Sequence, residues 1–408
     1  MDRRLFLATT MSTGMIAATN LPETQLAAAE KYTVRGLTKS NIPTPALVVD
    51  LEALEANLRK MAEHARQAKV GLRPHAKTHK CPEIARRQIA AGAIGICCAT
   101  VPEMEAMAAA GIPGLLVTSP IVDPGKIGRV AALASGGNKV MLSVGHVREA
   151  ELLAEAAEAA KAELDVLVDL DVGDKRTGCL PGEPAVELAR QMARFQRLHI
   201  RGVQAYAGHA SHTVGFEARQ RVSREAMSKA VETKALLLKA GFDAQILSGG
   251  STGTYNIDSA IEGVTELQVG SYVFMDVDYR RIGGQDGNAT YADFQPSLTI
   301  LATVVSATHA GRVTIDAGTK AVDTTTANLP QPKNWPGLVY SKAGDEFGAL
   351  TPSEPGGKLP RLGERLEFIV PHCDPTVNLY DRLYACRGEN VEEIWPVVAR
   401  REVPGKPA

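Results

Sequence analysis

Residues 139–171 read KVMLSVGHVREAELLAEAAEAAKAELDVLVDLD. Lys139–Val144 is an apolar run of strand length, His146–Ala162 is an amphipathic helical stretch, and Leu164–Asp171 is a second apolar run. Such a strand–helix–strand unit belongs to a parallel sheet. The rhythm recurs on both sides. Strands are predicted over Val70–Pro74, Ile94–Ala99, Leu115–Thr118, Ile200–Tyr206, Gln245–Ser248 and Glu266–Gly270. Helices are predicted over Leu51–Ala68, Pro82–Ala91, Pro102–Ala110, Glu183–Gln196, Phe216–Ala240 and Tyr255–Gly263. Eight such strands predict an α/β fold, a closed (β/α)8 TIM-like barrel. A doubly wound open sheet is the alternative, but no G-x-G-x-x-G opens a first helix.

Near Gly283 the rhythm stops. Asp286–Phe294 reads as a polar loop, and strands are predicted over Ser297–Ala307, Arg312–Ala317, Arg365–Val370, Arg382–Arg387 and Val391–Ala399. Leu329–Gly363 is rich in proline and glycine and reads as long loops. Residues 30–285 are thus expected to form the barrel and residues 286–408 a mostly β C-terminal domain. A chain of 408 residues, 45% hydrophobic and 22% charged with 37 glycines, suits two such domains. Its formal net charge of -1 gives no reason to expect nucleic acid or an anionic membrane as partner.

The first 29 residues differ in kind. Arg3-Arg4-Leu5-Phe6-Leu7 matches the core of a twin-arginine export signal, an apolar run follows to Ala18, and Ala27-Ala28-Ala29 offers a small-x-small cleavage site. Residues 1–29 are therefore expected to be a signal peptide and the location periplasmic, or cytoplasmic if that signal is not functional. The cysteines are Cys81, Cys97, Cys98, Cys179, Cys373 and Cys386; none forms a C-x-x-C pair, and they read as mostly buried free thiols.

In a barrel of this kind, reactive groups gather on the loops that follow the strands. Val70–Pro74 leads into His75, Lys77, His79 and Lys80. A lysine there is a candidate Schiff-base former, because cationic neighbours and partial desolvation favour its neutral amine. Leu164–Asp171 runs into Val172–Gly178, and Ile200–Tyr206 into Gly208-His209-Ala210-Ser211-His212. The last two strands are followed by Gly249-Gly250-Ser251-Thr252-Gly253-Thr254 and by Gly270-Ser271-Tyr272. Glycine-rich turns with hydroxyls offer N–H groups to a phosphate, and these are the loops where barrels often bind one. Lysine plus phosphate cradle implies pyridoxal 5′-phosphate, which is held as an imine at one end and by its phosphate at the other.

The second domain carries Pro371-His372-Cys373-Asp374-Pro375-Thr376. In an extended segment residues i and i+2 point the same way, so His372 and Asp374 can converge on one ion while Cys373 packs. One imidazole and one carboxylate make a half-filled set suited to a hard or borderline divalent ion.

Four motifs then resemble one family in combination. They are Arg73-Pro-His-Ala-Lys77, Asp171-Val-Gly-x-x-Arg176-x-Gly178, Glu266-Leu-Gln-x-Gly-Ser-Tyr272 and His372-Cys-Asp-Pro-Thr-x-Asn-Leu-Tyr-Asp381. From Thr44 to Ala399 the chain resembles the D-threonine aldolases, within the alanine-racemase-like pyridoxal phosphate enzymes of fold type III, a group related to D-serine dehydratase. The resemblance implies that Lys77, not Lys80, carries the cofactor, with Arg176 near its phenolic oxygen and Tyr206 beside it. It places Ser251, Thr252, Gly253, Gly270, Ser271 and Tyr272 on the phosphate loops and Gln268 opposite the pyridine nitrogen, where a neutral amide would weaken the electron sink. His372 and Asp374 match a metal pair suited to manganese, or to magnesium or cobalt. His212 matches a base near the substrate hydroxyl, with His209 competing for that role.

The implied reaction is retro-aldol cleavage of D-β-hydroxy-α-amino acids to glycine and an aldehyde, by a homodimer that takes a small-molecule substrate. A β-hydroxyaspartate aldolase and a D-serine or D-hydroxyaspartate dehydratase are the alternatives, and a non-catalytic pyridoxal phosphate carrier is a distant one. The dehydratases resemble a His-x-Cys zinc site, whereas Asp374 here supplies oxygen and favours the aldolase.

Overall fold

The structure, a computed structural model, describes residues 34–401; the export signal expected over residues 1–29 lies outside them. The first strand, β1 (Ala46–Asp50), is followed at once by the helix Leu51–Ala68, whose N-terminus is capped by the Asp50 side chain accepting from Ala53 N at 3.2 Å. Eight parallel strands then alternate with helices. They are β2 (Gly71–Leu72), β3 (Ile96–Cys98), β4 (Leu115–Val117), β5 (Val140–Val144), β6 (Leu164–Asp169), β7 (Leu198–Ala205), β8 (Ile246–Gly249) and β9 (Glu266–Leu267). They pair in the order β2-β9-β8-β7-β6-β5-β4-β3. The ring closes where the residues after β2 meet β3. His75 bridges Cys97, and Cys97 N donates to Pro74 O at 2.8 Å. All eight expected strands are present.

These strands read as unbroken apolar runs because both of their faces are buried. Cys97, Leu116 and Leu167 form a small cluster of their own inside the barrel, while their neighbours Ile96, Cys98, Leu115, Val117, Val166 and Val168 join the larger core under the helices. Cys97 and Cys98 therefore face opposite ways, and both are free and buried. The barrel floor is a buried ion pair. Arg73 donates through Nε to Glu266 Oε2 at 2.9 Å and through Nη2 to Glu266 Oε1 at 2.6 Å, and its Nη1 reaches Gly114 O. Gly95 must be glycine here, since a Cβ would strike the Gly114 carbonyl and the Arg73 guanidinium.

The second sheet is built from β10 (Leu298–His309), β11 (Arg312–Ile315), β12 (Gln331–Pro332), β13 (Leu338–Lys342), β14 (Gly348–Pro352), β15 (Arg365–Ile369), β16 (Arg382–Arg387) and β17 (Asn390–Pro396). It departs from expectation in two places. Although β1 falls in the range assigned to the barrel, it lies in this sheet, antiparallel to β10 and parallel to β16. The stretch 329–363, expected as loops, contains the hairpin β13–β14, with Leu338 paired to Pro352 and Lys342 to Gly348. Leu338 and Tyr340 are buried while Val339 is exposed, a period-2 pattern that the surrounding prolines and glycines mask. Among the described residues no helix is long and apolar enough to cross a membrane.

Candidate active site

At the C-terminal end of the barrel strands lies a cavity of about 310 Å³, at the small end of ordinary ligand pockets. Its wall includes Lys77, Arg176, Tyr206, His212, Ser251, Thr252, Gln268, Gly270, Ser271, His372 and Asp374. Gly253 and Tyr272, also expected at the phosphate, are not on that wall. The Tyr272 side chain is buried and accepts from Gln88 Nε2 at 3.2 Å, so only its backbone serves the loop.

Lys77 sits on a single turn, Ala76–Thr78, where the His75 ring accepts from Lys77 N at 3.3 Å. Its Nζ lies 3.4 Å from Asp374 Oδ2. The expectation that cationic neighbours favour the neutral amine fails for that reason: the Asp374 charge outweighs burial and the nearby Arg176 and raises the Lys77 pKa. Lys80 is turned away from the cavity, held by Glu103 Oε1 at 2.6 Å. His75 is kept neutral by burial and then by the Lys77 charge, and contacts Thr118 Oγ1 at 3.0 Å. His79 is pushed down to about 4 by burial, and its ring accepts from Cys81 N at 3.0 Å, at the start of the next helix.

Also in the lining, Gln204 Nε2 donates to Asp169 Oδ1 at 2.8 Å, leaving buried Asp169 Oδ2 without a protein partner. Gln268 Nε2 donates to Ser248 Oγ at 3.0 Å and Gln204 Oε1 at 3.3 Å, so its carbonyl oxygen is what the amide has left to offer. The Arg176 guanidinium lies 5.1 Å from the Tyr206 ring centre and 3.9 Å from Asp174. The two phosphate-type loops are joined where Tyr272 N donates to Thr252 Oγ1 at 3.0 Å.

The two competing histidines are separated by geometry. His209 is held outside the cavity, its N and Nδ1 facing Asp174 Oδ1 at 2.9 and 3.3 Å. His212 lines the cavity, stacked on Tyr279 with ring centres 4.4 Å apart and 6.3 Å from the His372 ring. Its Nε2 is 3.1 Å from Asp278 Oδ2 but out of line for a hydrogen bond. Burial lowers its pKa, so it is a neutral base near pH 7.

His372 and Asp374 both reach the cavity, though not along an extended segment as expected. His372 is extended and caps the short helix Cys373–Val377, and Asp374 is already inside that helix. Asp276, which the sequence reading did not single out, orients this pair. Its Oδ2 accepts from His372 Nδ1 at 2.8 Å, Cys373 N at 3.0 Å and Cys373 Sγ at 3.1 Å, and its Oδ1 accepts from Tyr279 N at 2.8 Å. Burial works against charge on His372, but the Asp276 hydrogen bond and charge, with Asp374, raise it to about 9. Asp374 is held at about 2, because Lys77 and His372 outweigh its burial.

Asp276, His372 and Cys373 lie close enough together to suggest a metal trio. The chemistry argues otherwise. Asp276 is fully buried and saturated by donors, and burial holds the Cys373 thiol far above its usual range. An imidazole with Nδ1 on a carboxylate offers its Nε2 outward, so His372 Nε2 and the Asp374 carboxylate are the donors that fit a divalent ion. The cavity likewise fits pyridoxal phosphate, since an amine, an unpartnered Asp169 oxygen and a hydroxyl-bearing loop all line it. Gly270 leaves room there that a Cβ, 2.6 Å from Thr78 Oγ1, would fill.

Known proteins resemble this chain over most of its length. Residues 49–278 match the alanine racemase N-terminal domain and residues 297–386 a serine dehydratase domain. The chain is 40% identical to a D-threonine aldolase from Arthrobacter sp, over 88% of this chain and 93% of that one. It is 36% identical to a 3-hydroxy-D-aspartate aldolase from Paracoccus denitrificans, over 90% and 94% of the two chains. A crystal structure of D-threonine aldolase from Filomicrobium marinum superimposes with a TM-score of 0.85 at 38% identity, covering 90% of this chain and 98% of that one.

Proposed function

The chain belongs to the D-threonine aldolase group of the alanine-racemase-like pyridoxal phosphate enzymes, and we propose that it cleaves D-β-hydroxy-α-amino acids between Cα and Cβ, giving glycine and an aldehyde. The observation that carries this reading is the meeting of Lys77, His212 and the His372–Asp374 pair in one cavity. It puts an amine, a neutral base and a pair of metal donors around a single small substrate.

Lys77 Nζ and the loops bearing Ser251, Thr252, Gly270 and Ser271 would hold pyridoxal phosphate, which supplies the electron sink for the pair released at Cα. His372 Nε2 and Asp374 would hold a divalent ion, manganese by preference, whose Lewis acidity would lower the pKa of a β-hydroxyl beside it. His212 takes the hydroxyl proton as the carbonyl of the aldehyde forms and the Cα–Cβ bond breaks. The proton that completes glycine comes from Lys77 Nζ, the cationic donor on the same wall. Asp276 keeps His372 aimed at the cavity, and Asp278 packs behind His212.

Two details support aldol cleavage over loss of the hydroxyl. The residue two past His372 is an oxygen donor, Asp374, and the neighbouring thiol of Cys373 is turned onto Asp276 rather than into the cavity. We also propose a homodimer in the periplasm. Val122, Leu180 and Val214, 60, 66 and 60% exposed, stand on loops after β4, β6 and β7 and suit a covering partner.

The test is a product assay. Purified protein with pyridoxal phosphate and manganese should release glycine and acetaldehyde from D-threonine. A keto acid and ammonia from D-threonine, D-serine or D-β-hydroxyaspartate, without glycine, would defeat the aldolase reading.

A further inference from the structure

Arg219, on the first turn of the helix Phe216–Lys239, is fully buried. Its Nε donates to Gly253 O at 2.7 Å, its Nη1 to Thr213 O at 3.0 Å and Ile282 O at 2.8 Å, and its Nη2 to Gly283 O at 2.9 Å. These carbonyls come from three separate segments. Among the described residues no carboxylate lies within ion-pair distance of the guanidinium; Asp293 acts on it only from farther off. Aromatic rings of Phe216 and Tyr291 flank it, at 5.6 and 5.8 Å to the ring centres. A buried cation without a counterion is costly and rare. Two of the segments it grips reach the cavity: the one that ends at Thr213, beside His212, and the loop whose Ser251 and Thr252 line the wall just before Gly253.

The same loop is gripped a second time. Tyr291, also buried, donates its hydroxyl proton to Thr252 O at 2.7 Å. Two successive carbonyls, those of Thr252 and Gly253, are thus drawn outward; the amide paired with the second, Thr254 N–H, is taken by Ser251 O at 3.2 Å and fixes the turn, so the backbone donor on offer is Gly253 N–H. In a planar trans peptide the N–H points opposite to the preceding carbonyl, so drawing Thr252 O outward turns Gly253 N–H inward. Gly253 has no alternative residue, because a Cβ would strike the backbone oxygen of Ser211. The Thr252 hydroxyl accepts from Tyr272 N, which leaves its own proton free. On the far side, Thr254 Oγ1 accepts from Ser251 N at 3.1 Å and donates to buried Asp258 at 2.5 Å, which fixes the other half of the turn.

We propose that Arg219 and Tyr291 are positioning residues for the cofactor phosphate: they hold the Thr252–Gly253 peptides outward so that N–H and O–H donors face the anion, and the guanidinium supplies its uncompensated positive charge. This rests on the cofactor reading above. It goes beyond that reading in assigning the phosphate's counter-charge to a residue that never touches it.

The experiment compares pyridoxal phosphate with pyridoxal, which lacks the phosphate, binding to cofactor-stripped protein. Dissociation constants are read by absorbance for wild type, Arg219→Met, Arg219→Lys and Tyr291→Phe. Tyr291→Phe and Arg219→Met should weaken pyridoxal phosphate at least about tenfold and change pyridoxal less than about threefold, with Arg219→Lys between them and wild type. Inorganic phosphate should raise the melting temperature of stripped wild type more than that of Tyr291→Phe. Equal losses for the two ligands, or variants that keep the wild-type preference, overturn the proposal. If Arg219→Met does not fold, Tyr291→Phe and Arg219→Lys decide. A wild type without preference for the phosphorylated ligand would instead overturn the cofactor reading.

Discussion

If His372 and Asp374 hold the proposed ion, its binding should depend on pH through His372. Its pKa of about 9 means that at pH 7 the imidazole carries a proton that an incoming ion must displace. Two units below the pKa, that displacement costs about 2.7 kcal/mol, a hundredfold in affinity. The sign follows: the apparent dissociation constant falls about tenfold per pH unit as pH rises, and levels off above the pKa. Asp374, at about 2, stays ionised throughout and adds no slope. Replacing Asp276 with Asn removes the charge that opposes burial, so the His372 pKa falls toward or below its ordinary value of about 6.5. The assay is titration of free manganese by electron paramagnetic resonance, on cofactor-loaded protein from pH 6.5 to 8.5. Wild type should tighten about a hundredfold across that window, and Asp276→Asn should be nearly flat while binding more weakly at its plateau. A flat wild-type profile, or a variant that retains the full slope, refutes the reasoning.

Lys77→Ala should lose the visible absorbance of the bound cofactor; a retained band would show that another group holds it. His212→Asn should lower kcat by about a hundredfold or more at unchanged melting temperature, whereas His209→Asn should stay within a few-fold of wild type. Equal losses in the two would reverse the choice between them. Chelation should abolish cleavage and leave the cofactor spectrum intact; loss of both together would make the metal structural. Cell fractionation should place a shortened protein in the periplasm, and a full-length cytoplasmic product would defeat the export signal.

Much of the barrel is readable because each parallel strand is a short apolar run bounded by helix-start residues, and its reactive loops can be located by counting strands. Local inference failed where neighbours in sequence were poor guides to neighbours in space. β1 abuts the helix Leu51–Ala68 with no intervening loop, so its apolar run merges with the helix and its partners lie in the distant second sheet. The β13–β14 hairpin is hidden by proline and glycine around it. Asp276 and Asp278 are unremarkable in a string; their meaning comes from His372, nearly a hundred residues on, and from His212. Arg219 sits in a helix rich in arginine, and no periodicity marks it as the one turned inward. The choice between Lys77 and Lys80 needed either the family pattern or the structure, because only direction separates two lysines three positions apart.

The placement of β1 has a consequence for how the molecule is made. Val48 pairs with Thr299 on one side and with Tyr384 on the other, so the first described strand waits for partners made far later in the chain. Until β16 leaves the ribosome, β1 has an open edge, and the short helix that carries His372 and Asp374 has no finished sheet behind it. A chain cut before β16 keeps the barrel strands but lacks the second partner of β1. Chains cut before β16 are therefore expected to be aggregation-prone rather than partly active.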